Sequence, residues 1–155
     1  MKVSVIMGST SDLEVMSAAF DVLEDFGIPY EKKVISAHRA PRLLAQYASS
    51  ARENGIDVII AGAGGAAHLA GVTAAYTTIP VIGVPIAGKA FGGMDALLST
   101  VQMPSGIPVA TVAVGGAKNA ALLAVSILSL GSRKLQDKLG EFRKAQSEKI
   151  ENTVI

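Results

Sequence analysis

The sequence predicts a three-layer α/β domain, a parallel sheet covered by helices on both faces with one extra helix at the C-terminus. Three observations carry this. Apolar runs rich in Val and Ile recur without strict polar alternation, as strands buried on both faces require. Between them lie segments whose apolar residues repeat at helical spacing, so strand and helix alternate along the chain. Glycines, prolines and small polar residues punctuate the joins. At 155 residues the chain suits one domain, 1–155, with no internal repeat, linker or low-complexity stretch.

The first strand spans residues 3–7 and ends in Gly8-Ser9-Thr10-Ser11-Asp12. Leu13, Met16, Phe20 and Leu23 then mark a helix that Gly27 and Pro29 stop. Residues 30–35 form a second strand, and Ser36-Ala37-His38-Arg39-Ala40 a loop. Pro41 suits a first helical position. Leu44, Tyr47, Ala48 and Ala51 line one face of that helix, which Gly55 ends. The third strand, 58–61, leads into Gly62-Ala63-Gly64-Gly65-Ala66-Ala67-His68-Leu69-Ala70-Gly71. A fourth apolar run covers 80–86, followed by a loop over 87–93 and a helix over 95–102. After a turn at 104–108, a fifth run spans 109–114. Residues 119–130 are apolar nearly all round, as in a helix with no wet face. Leu135, Leu139 and Phe142 mark a charged, amphipathic C-terminal helix weakened by Gly140.

Composition narrows the function. Half the residues are hydrophobic and 17% are charged, below the usual quarter, and mean hydropathy is +0.42. A lone globule needs a wetter periphery, so a homo-oligomer is expected. A net charge of +1, dispersed Lys and Arg and no Trp give no reason to expect nucleic acid or an anionic membrane as partner. The absence of Cys excludes disulfides, thiolate metal sites and a cysteine nucleophile. The N-terminus turns polar by Ser9, too early for a signal-peptide core. The apolar stretch 120–130 is too short to span a bilayer, so a soluble, cytoplasmic protein is expected.

In open parallel sheets, ligands bind beyond the carboxyl ends of the strands. Three of these ends carry polar or glycine-rich loops, 8–12, 36–39 and 62–68, and they should converge. The first opens a helix, where free N–H groups and the dipole favour an anion, and its hydroxyls add donors. Ser9 and Ser11 belong to that cradle; Asp12 would repel a phosphate and suits ribose hydroxyls. Plain capping by Ser11 or Asp12 is the competing account. Ser36, His38 and Arg39 offer a hydroxyl, an imidazole suited to proton transfer at neutral pH, and a cation that grips phosphate with paired bonds. Gly64, Gly65 and Ala66 allow close approach of a ligand to the main chain; a tight turn packed on the sheet explains them equally well. His68 is either a second polar contact or a satisfied buried imidazole. Residues 62–67 fit G-x-G-x-x-A, yet no acidic residue stands about 20 positions on, which argues against a nicotinamide dehydrogenase. Nothing has metal-ligand spacing or resembles a P-loop or serine elbow. No metal site is expected.

Taken together, Gly8–Asp12, Ser36–Pro41, Ala61–Leu69, Val101–Thr111 and Asn119–Ala124 resemble the PurE family of purine biosynthesis, over nearly the whole chain. The resemblance implies a flavodoxin-like sheet, a homo-octamer with sites assembled between subunits, and a C-terminal helix, 132–150, packing on a neighbouring subunit. The runs at 61–69 and 101–104 resemble the bacterial mutase class. That class converts N5-carboxyaminoimidazole ribonucleotide to 4-carboxyaminoimidazole ribonucleotide without ATP, metal or organic cofactor. By the same resemblance, Ser9, Ser11, Asp12, Ser36 and Arg39 hold the ribose phosphate and His38 is the acid/base. Gly64, Gly65 and Ala66 line the carboxylate and CO2 pocket, and His68 and Leu69 are counted with the substrate-binding residues. Ala70 stands where the family commonly has Pro, residues 91–96 differ from the usual segment, and 115–118 are shorter than in many members. Two other readings stay open. One is direct carboxylation of aminoimidazole ribonucleotide by CO2; the other is a non-catalytic nucleotide-binding module.

Overall fold

A computed structural model describes residues 1–153. Its strands are β1 (Val3–Met7), β2 (Tyr30–Val34), β3 (Val58–Gly64), β4 (Val81–Ile86) and β5 (Ala110–Thr111). They form one sheet in the order β2-β1-β3-β4-β5, with every pairing parallel. The helices are α1 (Leu13–Phe26), α2 (Pro41–Ser50), α3 (Leu69–Ala75), α4 (Met94–Val101), α5 (Ala117–Ser129) and α6 (Arg133–Glu151). This is the flavodoxin-like order, in which the winding direction reverses between β1 and β3.

The alternation of side chains along each strand builds two cores. Val3, Val5 and Met7 join Val58, Ile60, Ile82 and Val84 on the face covered by α1 and α5, with α6 outside them. Ile6, Ile59 and Val81 point the other way, toward Leu44 and Tyr47 of α2 and Leu69 and Ala70 of α3. On that second face the buried hydroxyl of Ser4 meets Tyr47 Oη, and Tyr47 donates onward to Glu31 of β2 at 2.7 Å. Lys2 completes the chain with a 2.5 Å ion pair to Glu31. Burial opposes ionisation of Glu31. The hydrogen bonds from Lys2 and Tyr47, with the Lys33 charge, outweigh it and hold the carboxyl below its ordinary value. Burial also pushes the Tyr47 phenol far up.

Three expectations need adjusting. The third strand runs past Ala61 to Gly64, because Gly62 pairs with Met7, and Gly64 with Ile86, on the two sides. The fifth run, 109–114, yields a strand of only two residues. The cause lies in β4: Pro85 has no N–H to donate toward β5. It only accepts, from Gly115 N–H at 2.9 Å, so the ladder stops. The helix over 119–130 does have a wet side, since Lys118 and Asn119 are exposed and Leu122 and Leu123 only half-buried.

The α6 helix continues through Gly140. Its first half lies on this chain: Leu135 and Leu139 are buried, and Phe142 meets Phe26 edge-on at 5.8 Å between centroids. Residues 143–151 are exposed. Among the described residues, no helix is long and apolar enough to cross a membrane. Of the sheet's two margins, β2 carries Glu31, Lys32 and Lys33 in a row, and β5 is the two-residue strand.

Candidate active site

The first loop leaves β1 at Gly8, whose N–H still bonds the Gly62 carbonyl at 3.1 Å. Ser9 is extended and caps a single 3-10 turn, Thr10–Asp12, that leads into α1. Its hydroxyl accepts from Ser11 N–H at 3.3 Å and from the Ser11 hydroxyl at 3.0 Å. Asp12 Oδ2 in return accepts from Ser9 N–H at 3.0 Å. Capping is therefore real, but the cap is Ser9, one turn earlier than Ser11 or Asp12, because the chain already reverses after Gly8. Asp12 closes the reciprocal half of a capping box. Burial, foremost, raises the Asp12 carboxyl above the ordinary aspartate value, against hydrogen bonds from Ser9 and Ser11 and the Arg39 charge.

The second loop turns tightly, with Ala40 N–H on the Ser36 carbonyl at 2.9 Å, and Pro41 starts α2. Ser36 Oγ accepts from both the backbone N–H and Nε of Arg39, each at 3.2 Å. Arg39 Nη2 reaches across to the Gly8 carbonyl at 2.9 Å. One guanidinium thus ties the second loop to the first. Both of its partners are neutral, so its charge stays uncompensated by them.

The third loop follows β3. A Cβ on Gly62 would sit 2.3 Å from the Met16 sulfur, so only glycine lets α1 press this closely on the sheet. At Gly65 the chain turns with φ +62°, the left-handed region that favours glycine. His68 N–H then bonds the Ala66 carbonyl at 2.8 Å, and α3 begins. This turn swings His68 onto His38: Nδ1 of one lies 2.8 Å from Nε2 of the other. The rings stand nearly perpendicular, at 85°. One ring must donate and the other accept, so a single proton occupies this line. A doubly protonated pair would set two N–H groups head to head.

The three loops converge, as the strand ends required. They line a cavity of about 350 Å³, within the range of small-molecule sites. Ser9, Ser11, Asp12, Ser36, His38, Arg39, Gly64, Gly65, Ala66, His68 and Leu69 all border it. Sequence reasoning missed Ile86, Ala87 and Gly88, which close the far wall from the end of β4. The signal was available, since the rule that sends ligands to strand ends applies to the fourth strand too. It also missed the His38–His68 bond, for which no local pattern exists. A larger cavity, about 860 Å³, lies at the amino end of β4 around Arg52, Glu53 and Tyr76. It holds no imidazole and none of these loops. Among the described residues, no group of three His, Asp or Glu is placed to hold a metal ion.

A doubly wound sheet with a hydroxyl-lined loop, a guanidinium and a paired imidazole bordering one cavity beyond its strand ends defines the class as an α/β enzyme acting on a small molecule. The family model for AIR carboxylase matches residues 2–149, and the chain belongs to that family. It is 65% identical over 142 residues to the N5-carboxyaminoimidazole ribonucleotide mutase of Pyrococcus abyssi, covering 92% of this chain and 82% of that one. It is 62% identical over 143 residues to the mutase of the same name from Bacillus subtilis, covering 91% and 88%. Among solved structures, Treponema denticola PurE superposes with a TM-score of 0.86 at 30% identity, covering 96% of this chain and 93% of that one.

Proposed function

We propose that this protein interconverts N5-carboxyaminoimidazole ribonucleotide and 4-carboxyaminoimidazole ribonucleotide in purine biosynthesis, as its named relatives do. The observation that carries the reading is the placement of a hydrogen-bonded imidazole pair between an arginine-bearing cradle and a small-walled glycine turn. Ser9, Ser11, Ser36 and Arg39 hold the phosphate, and Asp12 faces the ribose. His38 donates a proton to the carbamate nitrogen; the N–C bond breaks, its electron pair stays on nitrogen, and CO2 is released. The enamine carbon C4 then attacks CO2 to form the new C–C bond, and His38 takes the C4 proton as the ring regains aromaticity. Atoms and charge balance as in an isomerisation, so the imidazole ends as it began. His68, bound to His38, fixes which ring nitrogen carries the proton between the two steps. Gly64, Gly65, Ala66 and Leu69 keep CO2 close to C4, where its effective concentration is high.

Copies of the chain associate in this reading, as the octamer that the family resemblance implies. The support is an unpartnered apolar stripe at helical spacing, Phe91, Met94, Leu98 and Val101, each 46% exposed or more. The bare second half of α6 is the segment we assign to a neighbouring subunit. Sedimentation at micromolar concentration tests this, and a monomer would refute it.

The decisive experiment is turnover of the carbamate by wild type and His38→Asn. The variant is expected to lose about 10²-fold or more in kcat while still binding the nucleotide. A catalytically normal variant would overturn the assignment and favour a binding module. The family's description keeps direct carboxylation as the second reading; faster turnover of aminoimidazole ribonucleotide plus bicarbonate than of the carbamate would favour it.

A further inference from the structure

We infer that Lys89 is a further binding residue of this site and pairs with the substrate's carboxylate, not with its phosphate. The inference rests on the mutase reading above and adds the group that recognises the carboxylated end of the nucleotide. Three observations lead to it. The first is charge. Of the residues bordering the cavity, Arg39 is the one fixed cation and Asp12 a carboxylate, whereas the ligand carries a phosphate monoester and a carboxylate. The second anion lacks a cationic partner in the wall. The second is position. Ala87 and Gly88 line the cavity and Lys89 follows them directly; it is exposed, and it forms no ion pair among the described residues.

The third is the lateral order of the strands, which decides between the two anions. Arg39 follows β2, and its guanidinium reaches the Gly8 carbonyl at the end of β1. Lys89 follows β4, beside the Gly64–Ala66 turn of β3. From the end of β1, where the guanidinium sits, to β4 is two steps of about 4.8 Å, or roughly 10 Å. A mononucleotide spans a gap of that size with its phosphate at one end and its base at the other. Within this loop Ala87, Gly88, Lys89 and Ala90 are all exposed.

The test compares wild type with Lys89→Gln by equilibrium binding of three probes: 4-carboxyaminoimidazole ribonucleotide, aminoimidazole ribonucleotide and inorganic phosphate. The variant is expected to bind the carboxylated nucleotide about tenfold or more weakly, with the uncarboxylated nucleotide and phosphate unchanged. Unchanged affinity for the carboxylated nucleotide overturns the assignment. So does a parallel loss for phosphate, which would move Lys89 to the other end of the ligand. A wild-type protein that binds neither nucleotide overturns the mutase reading itself, an outcome distinct from failure of Lys89 alone.

Discussion

Replacing Arg39 by Lys keeps the positive charge and removes the fork, and the structure sets what that should cost. A guanidinium has five N–H donors. Nε is committed to Ser36 Oγ and one Nη2 proton to the Gly8 carbonyl, which leaves three for a ligand phosphate. An ammonium has three donors in all. Holding the same two anchors, it has one left, so two charge-assisted hydrogen bonds to the phosphate disappear. Such bonds contribute about 1.5–3 kcal/mol each, but Arg39 is exposed and water competes for the same oxygens. Discounted for that screening, the loss is about 2–3 kcal/mol, or roughly 30- to 150-fold in affinity. The phosphate lies away from the reacting atoms and is held alike in ground and transition states. The effect should therefore fall on KM and leave kcat nearly unchanged. Steady-state kinetics with the carbamate, and competitive inhibition by inorganic phosphate, read the two terms separately. A Lys variant with KM within about threefold of wild type would refute the donor count. A collapse of kcat at constant KM would place Arg39 at the reacting centre instead.

Tyr47→Phe strands the buried Ser4 hydroxyl and removes a hydrogen bond from Glu31; urea unfolding at fixed protein concentration should show a loss of about 2–4 kcal/mol, smaller when Ser4→Ala is added. Because Glu31 titrates below its ordinary value when folded, its contribution is present above about pH 4.5 and drains away as pH falls through the folded-state value. Glu31→Gln should therefore flatten the acid limb of a melting-temperature profile. Asp12 acts in the opposite sense, since its raised value makes the folded state take up a proton more readily as pH falls. Gly65→Ala, at φ +62° with no clash within 4 Å of the new Cβ, should cost about 1 kcal/mol of stability from backbone strain alone. A substantially larger loss would mean that the turn is constrained by more than its dihedral angles.

Much of this architecture is written in local patterns. Val3–Met7, apart from Ser4, and Val81–Ile86 are apolar runs, and the residues after them read as strand ends because the polarity changes abruptly. Arg39 and His38 stand out for the same reason. What stayed hidden depends on neighbours distant in sequence. Gly62 and Gly64 look like turn residues by composition; they are strand because Met7 and Ile86 pair with them from either side. The fifth strand is cut short by a proline in another strand, not by anything within 109–114. The His38–His68 bond spans thirty positions and exists only once Gly65 has turned the chain back.

The margins of the sheet have a bearing on how copies of this protein can meet. An unguarded border strand offers its free N–H and C=O groups to any passing chain and invites ribbon-like growth. Here one border presents three charged side chains in a row, Glu31, Lys32 and Lys33, and the other is too brief to template anything. Lateral accretion is closed off at both sides, so the self-association proposed above would have to run through helical surfaces and not through strand borders.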